Sequence, residues 1–231
     1  NIAFVFLILV SVISFKNSLD FGTSFRGIVK LIQNAFIFLI CASQIKDRKH
    51  VNRIVLSIIL GAALASIDAL WQVTFGKDFI RGNSLILNIG LNRATAAFPD
   101  ANVLGVYLSA ITPLIIGLTL YYFKGKKRLI MIFASTLAVI GIVLTFARGS
   151  ALALYLSVLL ISICRKSKLI SLVLIALLLI SPFIVPQSIR DWAKSVYYNP
   201  VLFMFNADRV SVYKNTVNMI RHHPFIGVGV N

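Results

Sequence analysis

The sequence predicts an all-α, polytopic integral membrane protein: a helical bundle of about seven spans, followed by the start of a large extracytoplasmic loop. Three observations support this fold class. Hydrophobic residues make up 58% of the 231 residues, and the mean hydropathy is +0.90. Long apolar runs alternate with short basic clusters. Because a bilayer core takes about 20 helical residues per crossing, these runs have the length of membrane helices.

The clearest element is the apolar stretch at 129–164, in which Arg148 is the one charged residue. At about 20 residues per crossing, the stretch is too long for one span and suits two. An arginine at the centre of a lipid-facing span costs several kcal/mol, whereas an arginine at a turn reaches water or a ligand. We therefore predict a helical hairpin, with Arg148, Gly149 and Ser150 at its turn.

The remaining spans follow from the other apolar runs, which lie at 2–15, 28–45, 54–75, 102–123 and 169–185. Residues 1–186 thus form a transmembrane region, and 187–231 begin the extracytoplasmic loop. The first run is short, and we expect further spans of a longer protein at both ends. In the loop, Ile189, Trp192 and Val196 predict a short interfacial helix. A second helix, capped by Asp208, carries Val210, Tyr213, Val217 and Ile220 at helical spacing.

The basic clusters predict the orientation of the chain. They lie in alternate connections, at 46–53, 124–128 and 165–168. The positive-inside rule can therefore place all three in the cytoplasm at once. The other connections are then outside: 16–27, 76–101, the Arg148 turn and everything after Pro186. This rule explains the net charge of +16 better than nucleic-acid binding does.

Four arginines lie at or beyond the outer ends of the predicted helices: Arg93, Arg148, Arg209 and Arg221. The insertion rule explains only inner arginines. Guanidinium groups bind phosphates bidentately and stay charged, so a phosphate-binding role is open to all four. A snorkelling turn residue is an equal alternative for Arg148. For Arg93, taken by itself, an ordinary solvated charge is favoured.

Other titratable groups are assigned structural roles. Asp68 is the one acid inside a predicted span, which makes it a functional hypothesis by default. We favour a hydrogen bond between helices, or an ion pair with an outer arginine. His222 and His223 precede Pro224, and we favour capping of a helix C-terminus over a base or a ligand pair.

Several motifs are absent from the sequence: a D-x-D pair, a P-loop, G-x-S-x-G and a Cys/His cluster at zinc spacing. Glycosyl transfer from a soluble nucleotide sugar and ATP-driven transport are therefore unsupported. We predict no metal and no cofactor.

Three segments resemble one family. They are RATAAFPDANVLG at 93–105, VLTFARGSALA at 143–153 and RVSVYKNTVNMIRHHPFIGVG at 209–229. In order and character they are similar to the O-antigen ligase and polymerase superfamily of bacterial envelope glycan assembly. That pattern has an Arg before a helix opened by a Pro-Asn stretch, then a Ser-Arg-Gly turn, then a His-Pro-x-x-Gly-x-Gly motif.

The chain departs from the family pattern in two places. Asp100, Ala101 and Asn102 stand where Asn-Pro-Asn is common, and Ala147 stands where Ser precedes the turn Arg. The family's proposed catalytic histidine follows the Gly-x-Gly turn, so we expect that segment beyond Asn231. Neither histidine before Pro224 takes its role, and the catalytic residue is unassigned.

The resemblance implies a multi-pass enzyme of the bacterial cytoplasmic membrane. It would transfer a glycan from undecaprenyl diphosphate to a glycan or lipid acceptor hydroxyl on the outer side, without metal. Arg93 and Arg148 would clamp the diphosphate, with Arg209 or Arg221 as a weaker third contact. The alternative is a polytopic transporter or lipid-linked-sugar flippase, to which only Asp68 points. A third reading is a structural subunit of an envelope complex, whose outer arginines would be replaceable.

Overall fold

The computed structural model describes residues 2–18, 20–45, 47–88, 91–165, 207–224 and 227. The chain divides into two compact units. The first comprises residues 1–51 and 193–231, and the second comprises residues 52–192. Within the described residues, five helices are long and apolar enough to cross a membrane. The predicted all-α membrane fold is confirmed to that extent. The seventh predicted span, at 169–185, lies outside the described residues.

The first unit contains a short apolar helix, α1 (Ile2–Ser14), a 3-10 turn (Phe15–Asn17) and α2 (Phe21–Gln44). The sequence places the start of this second span at residue 28, and the structure corrects that boundary. Asp20 Oδ1 accepts a hydrogen bond of 2.9 Å from the Gly22 amide and so caps the helix. The helix therefore begins within the polar connection, before the apolar run.

The same unit contains α7 (Ala207–His222), the second helix predicted in the outer loop. The helix begins at Ala207, one residue before the capping position that the sequence predicts for Asp208. The apolar side chains of Tyr213, Val217 and Ile220 are exposed. The interfacial helix predicted at 189–196 lies outside the described residues.

The second unit contains most of α3 (Arg48–Phe75), together with α4 (Ala101–Tyr121), α5 (Gly125–Thr145) and α6 (Arg148–Arg165). The predicted hairpin at 129–164 is confirmed as α5 and α6. The basic connections predicted at 46–53 and 124–128 are shorter than expected. The helix α3 begins inside the first of them, at Arg48, and α5 begins inside the second, at Gly125. Hydropathy detects only the apolar part of a helix. The helix itself can continue through polar residues, because its backbone groups are hydrogen-bonded to one another there as well.

The core of this unit depends on small residues. An added Cβ at Gly141 would meet Leu108 Cδ1 and Ser66 Oγ, each at 2.8 Å. An added Cβ at Gly105 would meet Ser150 Oγ at 2.7 Å. Small residues allow membrane helices to approach closely. The start of α6, which carries Arg148, is thereby held close against α4.

The connection between α3 and α4 contains a small antiparallel hairpin that the sequence did not predict. Its strands are β1 (Ile86–Asn88) and β2 (Leu91–Arg93), and Ile86 pairs with Arg93. Strands of three residues are too short for an alternating pattern to be recognised. The hairpin fixes the backbone at Arg93, which is the last residue of β2.

Candidate functional site

Arg93 is held by two hydrogen bonds to different helices. Its Nε donates to the backbone carbonyl of Thr145 at 2.8 Å, and its Nη2 donates to Asn102 Oδ1 at 2.7 Å. The side chain is half-buried. A guanidinium has five N–H donors, and bonds to the described residues use two of them. The solvated charge favoured from the sequence is therefore wrong: Arg93 is a fixed group between the start of α4 and the end of α5.

The Arg93 segment also caps α5. The last carbonyls of a helix have no partner within it. Here the Ala94 amide donates to the Leu144 carbonyl at 3.0 Å, and the Arg93 side chain donates to the Thr145 carbonyl. A positive charge at this position also interacts favourably with the helix dipole. The capping of α5 is thus a structural role that Arg93 has with or without a ligand.

Arg148 is the first residue of α6, immediately after the turn that follows α5. Phe146 adopts φ +48° in this turn, a left-handed conformation that is uncommon for a bulky residue. The Ala147 amide donates to Thr145 Oγ1 at 3.1 Å, which further fixes the turn. The Arg148 side chain is exposed. Thr145, whose carbonyl holds Arg93, lies three residues before Arg148, so both arginines belong to one end of the second unit.

A buried glutamine of α3, Gln72, ties the α3–α4 connection to the bundle. Its Oε1 accepts from the amides of Thr95 and Ala96 at 2.8 and 2.9 Å. Its Nε2 donates to Thr95 Oγ1 at 3.1 Å and to the Asn83 carbonyl at 3.0 Å. All four hydrogen-bonding positions of the amide are used. Gln72 therefore fixes the backbone directly after Arg93.

Asp68 lies one helical turn before Gln72 and is fully buried. Its Oδ1 accepts a hydrogen bond of 2.9 Å from the Phe79 amide. Its second oxygen makes no hydrogen bond of ordinary geometry with the described residues. The structural role predicted for Asp68 is supported, but its partner differs from the prediction. Asp68 holds the backbone of the α3–α4 connection, and among the described residues it pairs with no arginine.

The other predicted site residues lie on α7, in the first unit. Arg221 is exposed in the last turn, and Arg209 lies in the first turns of that helix. The His223 ring nitrogen Nδ1 is 3.5 Å from Asn17 Nδ2. The His223 amide donates to the Met219 carbonyl at 2.9 Å. The His223 ring thus contacts the 3-10 turn of the first unit, and the capping of the helix by these histidines stays a prediction.

The opposite end of the second unit is organised by a different arginine. Arg165, the last residue of α6, donates from Nη1 to the Leu120 carbonyl at 2.7 Å and stacks on the Tyr121 ring. This end also carries the basic cluster at 124–128. Arg93 and Arg148 therefore lie at the end of the second unit away from these basic residues, as the charge pattern predicts.

Sequence analysis missed the roles of Gln72 and Asn102. Gln72 had a signal that could have been used, since it follows Asp68 at helical spacing on one face of an apolar helix. Asn102 was identified only as part of a motif. Its contact with Arg93 depends on the path of the connection between them, which no pattern in the sequence describes.

Comparison with known families supports one assignment. A family model described as O-antigen ligase matches residues 133–231. The match includes the segments at 143–153 and 209–229, and the predicted resemblance is confirmed. The segment at 93–105 precedes the matched residues. Comparisons with curated proteins and with solved structures gave no match. The chain is an integral membrane protein with similarity to a family of glycan-transferring ligases.

Proposed function

We propose that the protein transfers a glycan from an undecaprenyl-diphosphate carrier to an acceptor hydroxyl at the outer face of the bacterial cytoplasmic membrane. The family match supports a ligase-like role. One observation carries the finer assignment: the Arg93 guanidinium is hydrogen-bonded to the carbonyl of Thr145, at the turn that leads into Arg148. Two permanent positive charges thus belong to one end of the bundle.

The chemistry needs such charges. The acceptor oxygen forms a bond to the anomeric carbon of the glycan, and the bond from that carbon to the diphosphate oxygen breaks. The leaving diphosphate gains negative charge as this bond breaks. Preorganised donors aimed at developing charge stabilise a transition state, and fixed guanidinium groups can do so without a metal ion. Arg93 is preorganised by its two anchors.

The acceptor hydroxyl also loses a proton, which a general base must take. We assign no residue of this chain to that role. Arg209 and Arg221 of α7 are proposed as weaker contacts to the diphosphate, on the basis of the sequence motif that contains them. Loss of either should therefore reduce transfer less than loss of Arg93 or Arg148.

The test uses purified protein in liposomes, with a labelled undecaprenyl-diphosphate glycan and a candidate acceptor. We expect a labelled product, undecaprenyl diphosphate released in equal amount, and no loss of rate when a chelator is added. Movement of the labelled lipid across the bilayer without any transfer would instead support a flippase. Full transfer after both Arg93 and Arg148 are replaced by alanine would remove these residues from the site.

A further inference from the structure

We propose that Asn102 is a positioning residue for Arg93, and that its lack of charge is the property that matters. The amide oxygen orients the guanidinium without neutralising it, so that the positive charge remains available to the diphosphate. This inference rests on the proposed function and names a further residue of the same site.

The geometry supports a positioning role. Asn102 is itself fixed, because its backbone amide donates a hydrogen bond of 2.6 Å to Asp100 Oδ1. Asp100 is the N-cap residue of α4. Its side-chain Oδ1 accepts from Arg93 Nη2 at 2.7 Å. The Thr145 carbonyl holds Nε of the same guanidinium. Because two different nitrogen atoms are held, both the position and the rotation of the planar group are set. Within the part of the chain that the structure describes, the two hydrogens on Nη1 and the second hydrogen on Nη2 have no protein partner and can serve a ligand.

An aspartate at position 102 would keep the acceptor but change the electrostatics. The carboxylate would form an ion pair with Arg93, and a diphosphate would then compete with that carboxylate for the guanidinium. The same aspartate would lie in the first turn of α4, where the helix dipole favours an acidic group. An alanine would remove the anchor but leave the charge of Arg93 unopposed.

Stability and ligand affinity should therefore rank Asn102→Ala and Asn102→Asp in opposite orders. For the folded protein, Asn102→Asp should be at least as stable as Asn102→Ala. For diphosphate binding, the parent should be tightest, Asn102→Ala weaker and Asn102→Asp weakest. A residue that only stabilises the start of α4 would give the same order in both measurements.

The experiment measures binding of undecaprenyl diphosphate to the purified protein in lipid nanodiscs, together with the melting temperature of each variant. Asn92→Asp is the matched control. Asn92 is exposed on β2 next to Arg93, so this variant adds the same charge nearby without occupying the contact. We expect affinity to fall about threefold or more in Asn102→Ala and at least about tenfold in Asn102→Asp. Asn92→Asp should stay within about twofold of the parent, because successive side chains of a strand point to opposite faces, so the added charge does not form the ion pair with Arg93.

The outcomes separate this inference from the proposed function. Equal binding by Asn102→Asp and Asn92→Asp would overturn the positioning role. So would affinity losses that simply follow the melting temperatures of the variants. In either case, reduced glycan transfer by Arg148→Lys would still support the proposed function. Failure of the parent protein to bind undecaprenyl diphosphate would overturn the proposed function and this inference together.

Discussion

The Nε of Arg93 donates a 2.8 Å hydrogen bond to the carbonyl of Thr145, across 52 residues of sequence. This bond joins the connection between α3 and α4 to the turn between α5 and α6. Arg93, which the sequence places in a long loop, is thereby a fixed group at the turn that leads into Arg148.

Replacement of Arg148 by lysine should leave membrane abundance normal and reduce glycan transfer by at least about tenfold. Lysine can anchor a turn at the membrane surface as arginine does, but it lacks the planar fork that binds phosphate bidentately. Hydrogen bonds to charged groups are worth about 1.5–3 kcal/mol, so one lost contact slows transfer roughly 10- to 100-fold. The measurement is transfer of a labelled undecaprenyl-diphosphate glycan, normalised to protein level. Arg81→Lys, at an exposed position in the α3–α4 connection, is the control and should transfer normally. Normal transfer by Arg148→Lys would make Arg148 a turn anchor only.

Arg93→Lys should reduce transfer by a similar factor. An ammonium group can reach the Thr145 carbonyl or the Asn102 oxygen, but it cannot reproduce the two fixed bonds of the guanidinium. If both arginines contact one diphosphate, the combined loss in Arg93→Lys with Arg148→Lys should be less than additive. Strictly additive losses, measured in the same transfer assay, would mean that the two residues act on separate groups.

Gln72→Leu should destabilise the protein. It would leave the buried amides of Thr95 and Ala96 without a partner, at about 1–3 kcal/mol for each unsatisfied group. We expect lower membrane abundance and a lower melting temperature in detergent. Gln33→Leu, which changes an exposed amide of α2, should change neither. An unchanged melting temperature in Gln72→Leu would show that the connection is held by other contacts.

Asp68→Asn should be tolerated. The amide keeps an acceptor for the Phe79 amide, and it removes a carboxylate that is buried without an ion-pair partner among the described residues. Abundance and transfer should both stay near the parent values, whereas Asp68→Leu should reduce abundance. If Asp68→Asn abolishes transfer while the protein still accumulates in the membrane, Asp68 takes part in function.

The orientation in the membrane can be tested by cysteine labelling, after the exposed Cys41 and Cys164 are changed to serine. A cysteine at Ser84 should react with an impermeant thiol reagent in intact cells, and a cysteine at Lys126 should not. Lys126 is preferable to Gly125, whose φ of +56° favours glycine. The reverse labelling pattern would place Arg93 and Arg148 in the cytoplasm and would exclude transfer at the outer face.

The sequence by itself determined the membrane class, five spans of the described chain and the hairpin turn at Arg148. These depend on one physical quantity, the length of an apolar run against the thickness of a bilayer, and in lipid such a run satisfies its backbone groups only as a helix. The sequence predicted the first residues of the helices less well. The cap at Asp20 and the polar first turn of α3 are outside the apolar runs, so hydropathy does not detect them.

Only the tertiary structure decided which polar residues meet. Arg93 lies beside the end of α5 because Gln72 and Asp68 hold the backbone on either side of a small hairpin, and because Asn102 is fixed at the start of α4. The two hydrogen bonds of the Arg93 side chain join residues 9 and 52 positions apart. Hydropathy describes how each segment interacts with lipid or water. The contacts of Arg93 depend instead on the path of a polar connection, and hydrogen bonds between particular side chains and backbone groups determine that path.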